Sequence, residues 1–425
     1  MTKQIYISGG KPLHGEVTIS GMKNAALPIL FATILVKGSC TLENIPPVSD
    51  IDTSLKILEQ MGVRITKGEP GTVTVDATGI QQGSSPYELV QKLRGSTYLL
   101  GAELGRFGRA TIGWPGGCDF GRRPLDQHIK GFEALGAVVS TENGYIYVTA
   151  PNGLTGNSIY FDVTSVGATV NLILASVLAK GTTVLDNAAK EPHIVDLANF
   201  LNSCGANITG AGTPVIKIRG VESLHGCTYS IIPDMIQAGT YMVAAAATRG
   251  RVKVNAVIPK HVEAISAKLS EMGVYVEELD ESIIVSAENV QKFRNVNIKT
   301  LPYPGFPTDM HPQFAVLLCL ANGVSCIYEN IWVNRFRYTE ELKKMGANII
   351  VDEPNATFIG VEEFNGTHVS AMDLRAGAAL LIAGLCANGI TELSNVEYIE
   401  RGYDDIVGKL KKLGAEISET PFENQ

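Results

Sequence analysis

The residues that could do chemistry are concentrated in a few short stretches. The most unusual is "GWPGGCDFGRRPLDQH", residues 113–128. Cys118 stands there after two glycines and before Gly121, Arg122 and Arg123, away from the apolar neighbours that a packing cysteine normally has. Adjacent guanidinium groups favour the thiolate over the thiol. A cysteine that titrates near neutrality can deliver a proton or attack an electrophile. Two readings of Cys118 stand on these features alone: a reactive thiol on a glycine-rich loop, or a loop cysteine without a role.

A second set consists of polar residues that interrupt apolar runs. They are Lys23 and Asn24 in "SGMKNAALP", Arg94 in "KLRGSTYLL", and Ser165 and Gly167 in "DVTSVGATV". Further along come Asp234 and Gln237 in "IIPDMIQAGT", Asp309 in "GFPTDMHPQ", and Asp373 and Arg375 in "AMDLRAGAA". Each lies just before an Ala-rich apolar segment with the character of a helix. The start of a helix carries free N–H groups and the positive end of its dipole, so it seats anions. Asp and Ser at that position read equally as ordinary N-caps, and for Asp234 the cap is the preferred reading. Capping does not account for Lys23, Arg94 or Arg375, because a cation is disfavoured at that end. They read either as contacts to a bound anion or as solvated surface charges. Arg123, Arg335 in "WVNRFRY" and Arg401 in "YIERGYDD" stand near this set in sequence. Arginine suits a bidentate grip on phosphate or carboxylate. If these residues converge, they can hold a doubly anionic molecule such as phosphoenolpyruvate.

The elements that must position these residues form an internal repeat. Six copies of one signature occur: "LEQMGVRI", "FEALGAVV", "LNSCGANI", "LSEMGVYV", "LKKMGANI" and "LKKLGAEI". Their glycines are Gly62, Gly136, Gly205, Gly273, Gly346 and Gly414, spaced 68 to 74 residues apart. Each glycine reads as the left-handed residue that ends a helix. Upstream of each lies an apolar, small-residue helix, then a strand, then a more polar helix leading into the glycine. The expected unit is α–β–α–β with further strand before the next copy. The apolar helix suits burial on all sides and the polar one suits an outer position. Six units of about seventy residues exceed common solenoid repeats, so two domains of three units each are expected.

Composition sets the outer bounds. The chain has 425 residues, 45% hydrophobic and 18% charged, with a net charge of −8. That length accommodates two or more domains. The acidic balance argues against a nucleic-acid partner, which calls for a basic face. The first residues lack the apolar core of a signal peptide. The longest apolar runs, such as 378–387, fall short of the ~20 residues of a membrane helix, so no membrane insertion is expected. The seven cysteines form no CxxC pair and read as reduced thiols of a cytoplasmic protein. No metal site is supported by the His and Cys spacing, and no cofactor is expected.

Taken together, "GEVTISGMKNAALPIL", "PGGCDFGRRPLDQHIKGFEALGA", "SVGATVN", "NAAKEPHIVDLANFL", "FPTDM", "NRFRYTEELKKMGA", "DLRAGAALLIAG" and "ERGYDDI" have a clear relative. Over essentially its full length the chain resembles the enolpyruvyl transferase family, and within it the transferases acting on UDP-N-acetylglucosamine. The resemblance implies two inside-out α/β domains, each of three βαβαββ-type units around buried helices. It places the boundaries at 22–233 and at 1–21 with 234–425, with the active site in the cleft between them. It implies transfer of the enolpyruvyl group from phosphoenolpyruvate to the sugar 3-hydroxyl, the first committed step of peptidoglycan synthesis.

Residue by residue, the resemblance implies that Lys23 contacts phosphoenolpyruvate and Asn24 the sugar nucleotide. Arg94, Arg123, Arg375 and Arg401 grip phosphoenolpyruvate or its phosphate. Cys118 acts as the general acid on its loop and is the thiol that fosfomycin alkylates. Arg123, Pro124, Leu125, Asp126 and His128 form the uridine side, and Ser165, Val166 and Gly167 the diphosphate turn. Asp309 lies near the attacking hydroxyl. Ile331, Arg335 and Asp373 complete the substrate-binding set, and Cys118, Asp309, Lys23 and Arg401 the catalytic one. The chain departs from the family at Arg122, where a small residue is common, at Val163, where some members carry lysine, and at His311 and Pro312. The nearest rivals are the transferase that makes 5-enolpyruvylshikimate 3-phosphate on the same fold, against which "PGGCDFGRRP" and "PLDQH" argue, and a catalytically silent sugar-nucleotide-binding paralogue.

Overall fold

The structure, a computed structural model, describes residues 3–80, 85–114 and 124–420. The chain divides into two compact units, Gly21–Ile232 and Met1–Ser20 with Pro233–Gln425. Each contains three copies of the repeated unit.

The apolar segments form the inner helices. In the first unit these are Lys23–Ala32, Tyr98–Phe107 and Val166–Ser176, and in the second Met235–Ala247, His311–Cys319 and Leu374–Leu385. Every residue of the three helices in the second unit is buried. Within that unit all three pack against one another. A helix with apolar or small residues on every face has no side that gains from water, so it is driven to the centre. Small residues set the closeness of the packing. In the first unit a Cβ at Gly101 would lie 2.3 Å from the Asn171 carbonyl oxygen, while the Gly101 N–H donates to Asn171 Oδ1 at 2.8 Å.

The amphipathic segments form the outer helices, Ser49–Gln60, Asp126–Ala134 and Pro192–Ser203 in the first unit and Glu263–Glu271, Thr339–Lys344 and Ile406–Lys412 in the second. Six glycines follow these helices with φ between 90° and 102°, namely Gly62, Gly136, Gly205, Gly273, Gly346 and Gly414. A Cβ is disfavoured at that φ, which is why the repeat is visible as a glycine pattern.

Between each inner and outer helix runs a five-residue strand. Five of the six, for example Ser39–Glu43, pair antiparallel with the far strand of the hairpin that follows the outer helix, as in Leu42↔Val73. In the last copy one strand, Glu416–Ser418, follows the outer helix among the described residues. Its missing neighbour comes from the start of the chain: Ile5–Ser8 pairs antiparallel with both Ile390–Ser394 and Glu416–Ser418. His14–Thr18 then runs parallel to Arg251–Asn255. These pairings assign the N-terminal strands to the second unit. Each unit is an inside-out α/β barrel, with helices in the centre and sheets and outer helices around them.

One buried group opposes this burial of apolar surface. Glu103, on the inner helix Tyr98–Phe107, is 0% exposed, and neither carboxyl oxygen makes a hydrogen bond of ordinary geometry among the described residues. Burial pushes its pKa up to about 8, with the Thr111 backbone opposing only in part. A carboxyl whose folded pKa lies above its unfolded value stabilises the fold in its protonated form, and that stability is lost as pH rises from about 4.5 to about 8. Glu103→Gln is therefore expected to be more stable than the parent, with an advantage that grows by up to ~1.4 kcal/mol per pH unit across that window. Urea denaturation at pH 5 and pH 8 measures it; an equal difference at both would contradict the assignment.

Candidate active site

The described sequence-selected residues are divided between the two units. Cys118 and Arg123, with Arg122, lie outside the described residues.

In the first unit the inner helices begin with the selected residues themselves. Lys23 opens the helix Lys23–Ala32, followed by Asn24. Its Nζ donates to Asp50 Oδ2 at 2.9 Å, and both side chains are largely buried. The carboxylate that offsets a lysine at a helix start is thus provided by the chain. Asp50 escaped the sequence reading because an acidic residue in the first turn of a helix, here Ser49–Gln60, is ordinary dipole chemistry.

Ser165 caps the helix Val166–Ser176, its Oγ accepting from the Ala168 N–H at 3.2 Å. Pro124 and Leu125 lead into Asp126–Ala134, with Asp126 in its first turn. The two stretches meet through His128. A Cβ at Gly167 would lie 3.0 Å from His128 Nε2, so a larger residue there would press on the ring. His128 is buried, and burial, then the charge of Arg94, lowers its pKa to about 4. It is a neutral imidazole at neutral pH, within electrostatic reach of Arg94. Arg94 itself opens a short 3-10 turn, Arg94–Thr97, ahead of its inner helix. Val163 is exposed.

In the second unit Asp309 is the centre. It sits in the turn Thr308–Met310 before the helix His311–Cys319. Arg335 donates to its Oδ1 at 3.1 Å, and Arg375 donates to Oδ2 through Nε and Nη2 at 3.2 and 3.1 Å. Both arginine side chains are about 5% exposed or less, whereas Asp309 is 31% exposed. Burial works against the charge of Arg375, but Tyr403, Asp309 and Asp234 outweigh it and raise its pKa. Arg375 Nη1 also donates to Tyr403 Oη at 3.2 Å. Asp373 caps the same helix, accepting from the N–H groups of Arg375 and Ala376. Asp234 caps Met235–Ala247 through the N–H groups of Ile236 and Gln237. Arg401 ends the 3-10 segment Val396–Arg401.

Glu329, which the sequence reading missed, orders the loop beside Asp309. Its Oε1 accepts from the N–H groups of Ile331 and Trp332 at 2.7 and 3.0 Å, and its Oε2 from Thr308 Oγ1 at 2.8 Å. His311 is wholly buried, with its Nδ1 3.2 Å from Tyr338 Oη and its Nε2 3.5 Å from the Glu329 carboxylate. Burial holds its pKa well below the ordinary histidine value. The departure at His311 is therefore a packing and hydrogen-bonding residue under the loop.

The described cysteines, all free thiols, include one grouping that local spacing does not show. Cys40, Cys204 and Cys227 are far apart in sequence and form no motif, but their Sγ atoms all lie within 4.8 Å of one another. A repeat that closes on itself brings its first and third copies together, which no local spacing reveals.

Chemically, each unit presents buried cations held against carboxylates, Lys23 by Asp50 and Arg335 and Arg375 by Asp309. An incoming carboxylate offers the same charge and fork geometry, and a phosphate offers more charge and a further acceptor oxygen. A family model described as EPSP synthase (3-phosphoshikimate 1-carboxyvinyltransferase) matches residues 7–410, which sets the class as a carboxyvinyltransferase of this two-unit fold. The solved enolpyruvyl transferase NikO from Streptomyces tendae is similar at a TM-score of 0.89 and 28% identity, over 98% of each chain. A UDP-N-acetylglucosamine 1-carboxyvinyltransferase 3 from Caldanaerobacter subterraneus is 55% identical over 98% of this chain and 99% of its own length. A UDP-N-acetylglucosamine 1-carboxyvinyltransferase from Clostridium botulinum is 54% identical over 97% and 99%. The chain belongs to the UDP-N-acetylglucosamine 1-carboxyvinyltransferase family.

The neutral state of His128 has a measurable consequence. A histidine whose folded pKa is depressed contributes stability above its unfolded value of about 6.5, lost as pH falls toward about 4. His128→Gln should flatten the acid limb of the stability curve between pH 6.5 and 4, by up to ~1.4 kcal/mol per pH unit. A pH series of denaturation midpoints with an unchanged acid limb would refute a neutral buried His128.

Proposed function

We propose that this chain transfers the enolpyruvyl group of phosphoenolpyruvate to the 3-hydroxyl of UDP-N-acetylglucosamine, releasing phosphate, as the first committed step of peptidoglycan synthesis in the cytoplasm. The observation that carries the reading is the 55% identity, over 98% of this chain, to a relative named for that reaction. The cation clusters agree with it, since both substrates are anions.

The reaction is an addition followed by an elimination. The hydroxyl oxygen attacks C2 of phosphoenolpyruvate while C3 gains a proton, giving a tetrahedral phospho-ketal. Loss of phosphate and of a C3 proton restores the double bond in the product. We assign proton delivery at C3 to Cys118 and acceptance of the hydroxyl proton to Asp309. The salt bridges of Asp309 bear on that role: two guanidiniums compete with a proton for its oxygens. When Arg375 turns to an incoming carboxylate or phosphate, Asp309 is freed to accept one. Lys23 follows the same logic, exchanging Asp50 for substrate oxygens. Arg94, Arg123 and Arg401 add charge for the phosphate and carboxylate of phosphoenolpyruvate. Asn24, the segment Arg123–His128 and the turn Ser165–Gly167 receive the sugar nucleotide, with Ile331, Arg335 and Asp373 on the side of the reacting sugar. Fosfomycin is assigned to Cys118 as a covalent inhibitor.

Purified protein with phosphoenolpyruvate and UDP-N-acetylglucosamine is expected to release phosphate. Release only with shikimate 3-phosphate as acceptor would overturn the reading in favour of the sister reaction. Release with neither acceptor would favour a silent paralogue. Cys118→Ser should cut turnover strongly and abolish labelling by fosfomycin, and mass spectrometry that finds the drug on another cysteine would refute the assignment. Arg375→Ala is expected to lower kcat by roughly 10²-fold or more, the usual effect of removing one preorganised charge donor. A change confined to KM would assign Arg375 to ground-state binding instead.

A further inference from the structure

Outside both clusters, the first unit contains a group of three thiols. Cys40 lies on the strand Ser39–Glu43. Cys204 follows the outer helix Pro192–Ser203 as its C-cap. Cys227 directly precedes the strand Thr228–Ser230, which runs parallel to Ser39–Glu43 with Thr228 opposite Thr41. The first of these elements belongs to the first copy of the repeat and the other two to the third. Cys204 Sγ is 3.4 Å from Cys227 Sγ, and all three sulfurs are mutually within 4.8 Å. Cys40 and Cys204 are buried, while Cys227 is part-exposed and gives the group an approach from solvent.

The repeat provides an internal comparison. The residue before the signature glycine is Met61, Leu135, Met272, Met345 or Leu413 in the other five copies, and Cys204 in this one. The second residue of the central strand is Ala110, Thr183, Val252, Ser325 or Thr391 elsewhere, and Cys40 in the first copy. The fold fills each of these positions without a thiol five times out of six. The three thiols meet at one seam, where the third copy of the repeat packs against the first. Cavity filling alone does not require three sulfurs at one seam.

We propose that Cys40, Cys204 and Cys227 form a three-thiolate site for a thiophilic closed-shell cation of the copper(I) and zinc(II) kind. Thiolate sulfur selects such soft or borderline ions. An ion bound ~2.3 Å from each sulfur needs sulfurs roughly 4 Å apart, within the spread observed here. Three donors favour the trigonal coordination that copper(I) accepts. Zinc(II), which prefers four ligands, would need water or a neighbouring donor as the fourth. Each thiol that binds releases its proton to solvent. The bound ion would tie the first copy of the unit to the third, beside the strand pairing that closes it.

The test uses the full chain carrying Cys118→Ser, so that the loop thiol does not compete, reduced and stripped of metal. It is loaded separately with copper(I) and with zinc(II), desalted against a competing chelator, and its metal content and thermal midpoint are measured. One retained ion per chain and a raised midpoint are expected with at least one of the two ions. Retention with copper(I) alone defines a trigonal site, and retention with zinc(II) a site completed by a fourth ligand. Adding Cys204→Ser or Cys227→Ser should weaken retention at least tenfold and remove the shift, whereas Cys326→Ser should leave both unchanged. Cys227 is not fully buried, so its variant keeps the test decisive if Cys204→Ser does not fold. No retention of either ion, or retention unaffected by Cys227→Ser, would overturn the proposal. So would a Cys204–Cys227 disulfide that forms in air while the reduced chain retains no metal.

Discussion

A helix enclosed on every side can present polar groups to a ligand only at its ends. That constraint organises both units. The inner helices are driven to the centre because no face of them gains from water. Their first turns are then the only places where they can carry chemistry. Lys23 and Asn24, Ser165 to Gly167, Asp234, Asp309, and Asp373 with Arg375 all stand at or just before such a turn. Apolar burial and site placement are therefore consequences of one pattern.

The charges at these turns are not left to solvent. Lys23 meets Asp50, and Arg375 and Arg335 meet Asp309. A buried cation with no partner carries a large desolvation cost, so a site that must accept anions needs a substitute when none is bound. A carboxylate from the same unit serves. It also sets a threshold: a ligand must replace those contacts with better ones, which multiply charged phosphate and carboxylate groups can do. Where Asp309 also accepts a proton, the exchange of partners couples ligand arrival to the availability of its base.

How much of this could be read in advance differs from residue to residue. The six glycines were legible because positive φ has a strong residue preference. The inner helices were legible because a continuous small and apolar run has few other uses. The caps at Ser165, Asp234 and Asp373 follow from local chemistry. Asp50 and Tyr403 were not legible, because each acts on a residue distant in sequence, and Glu329 was not, because its link to Thr308 spans 21 residues and its loop contacts carry no signature. The cysteine trio was not legible for the same reason: positions 40, 204 and 227 become neighbours only when the third copy of the repeat packs against the first.

By itself the sequence determined the number and length of the repeats, the division into buried and outer helices, the glycines that end them, and the polar residues at the helix starts. These are local properties, set by hydrophobic periodicity and by backbone preferences that act over a few residues. The tertiary structure decided which charges face each other, which strands complete which sheet, and which thiols meet. Ile5–Ser8 completes a sheet with strands nearly four hundred residues away, and Asp309 is held by an arginine 66 residues on. Such pairings depend on the closure of three-fold units in space, and closure is a property of the whole packed chain.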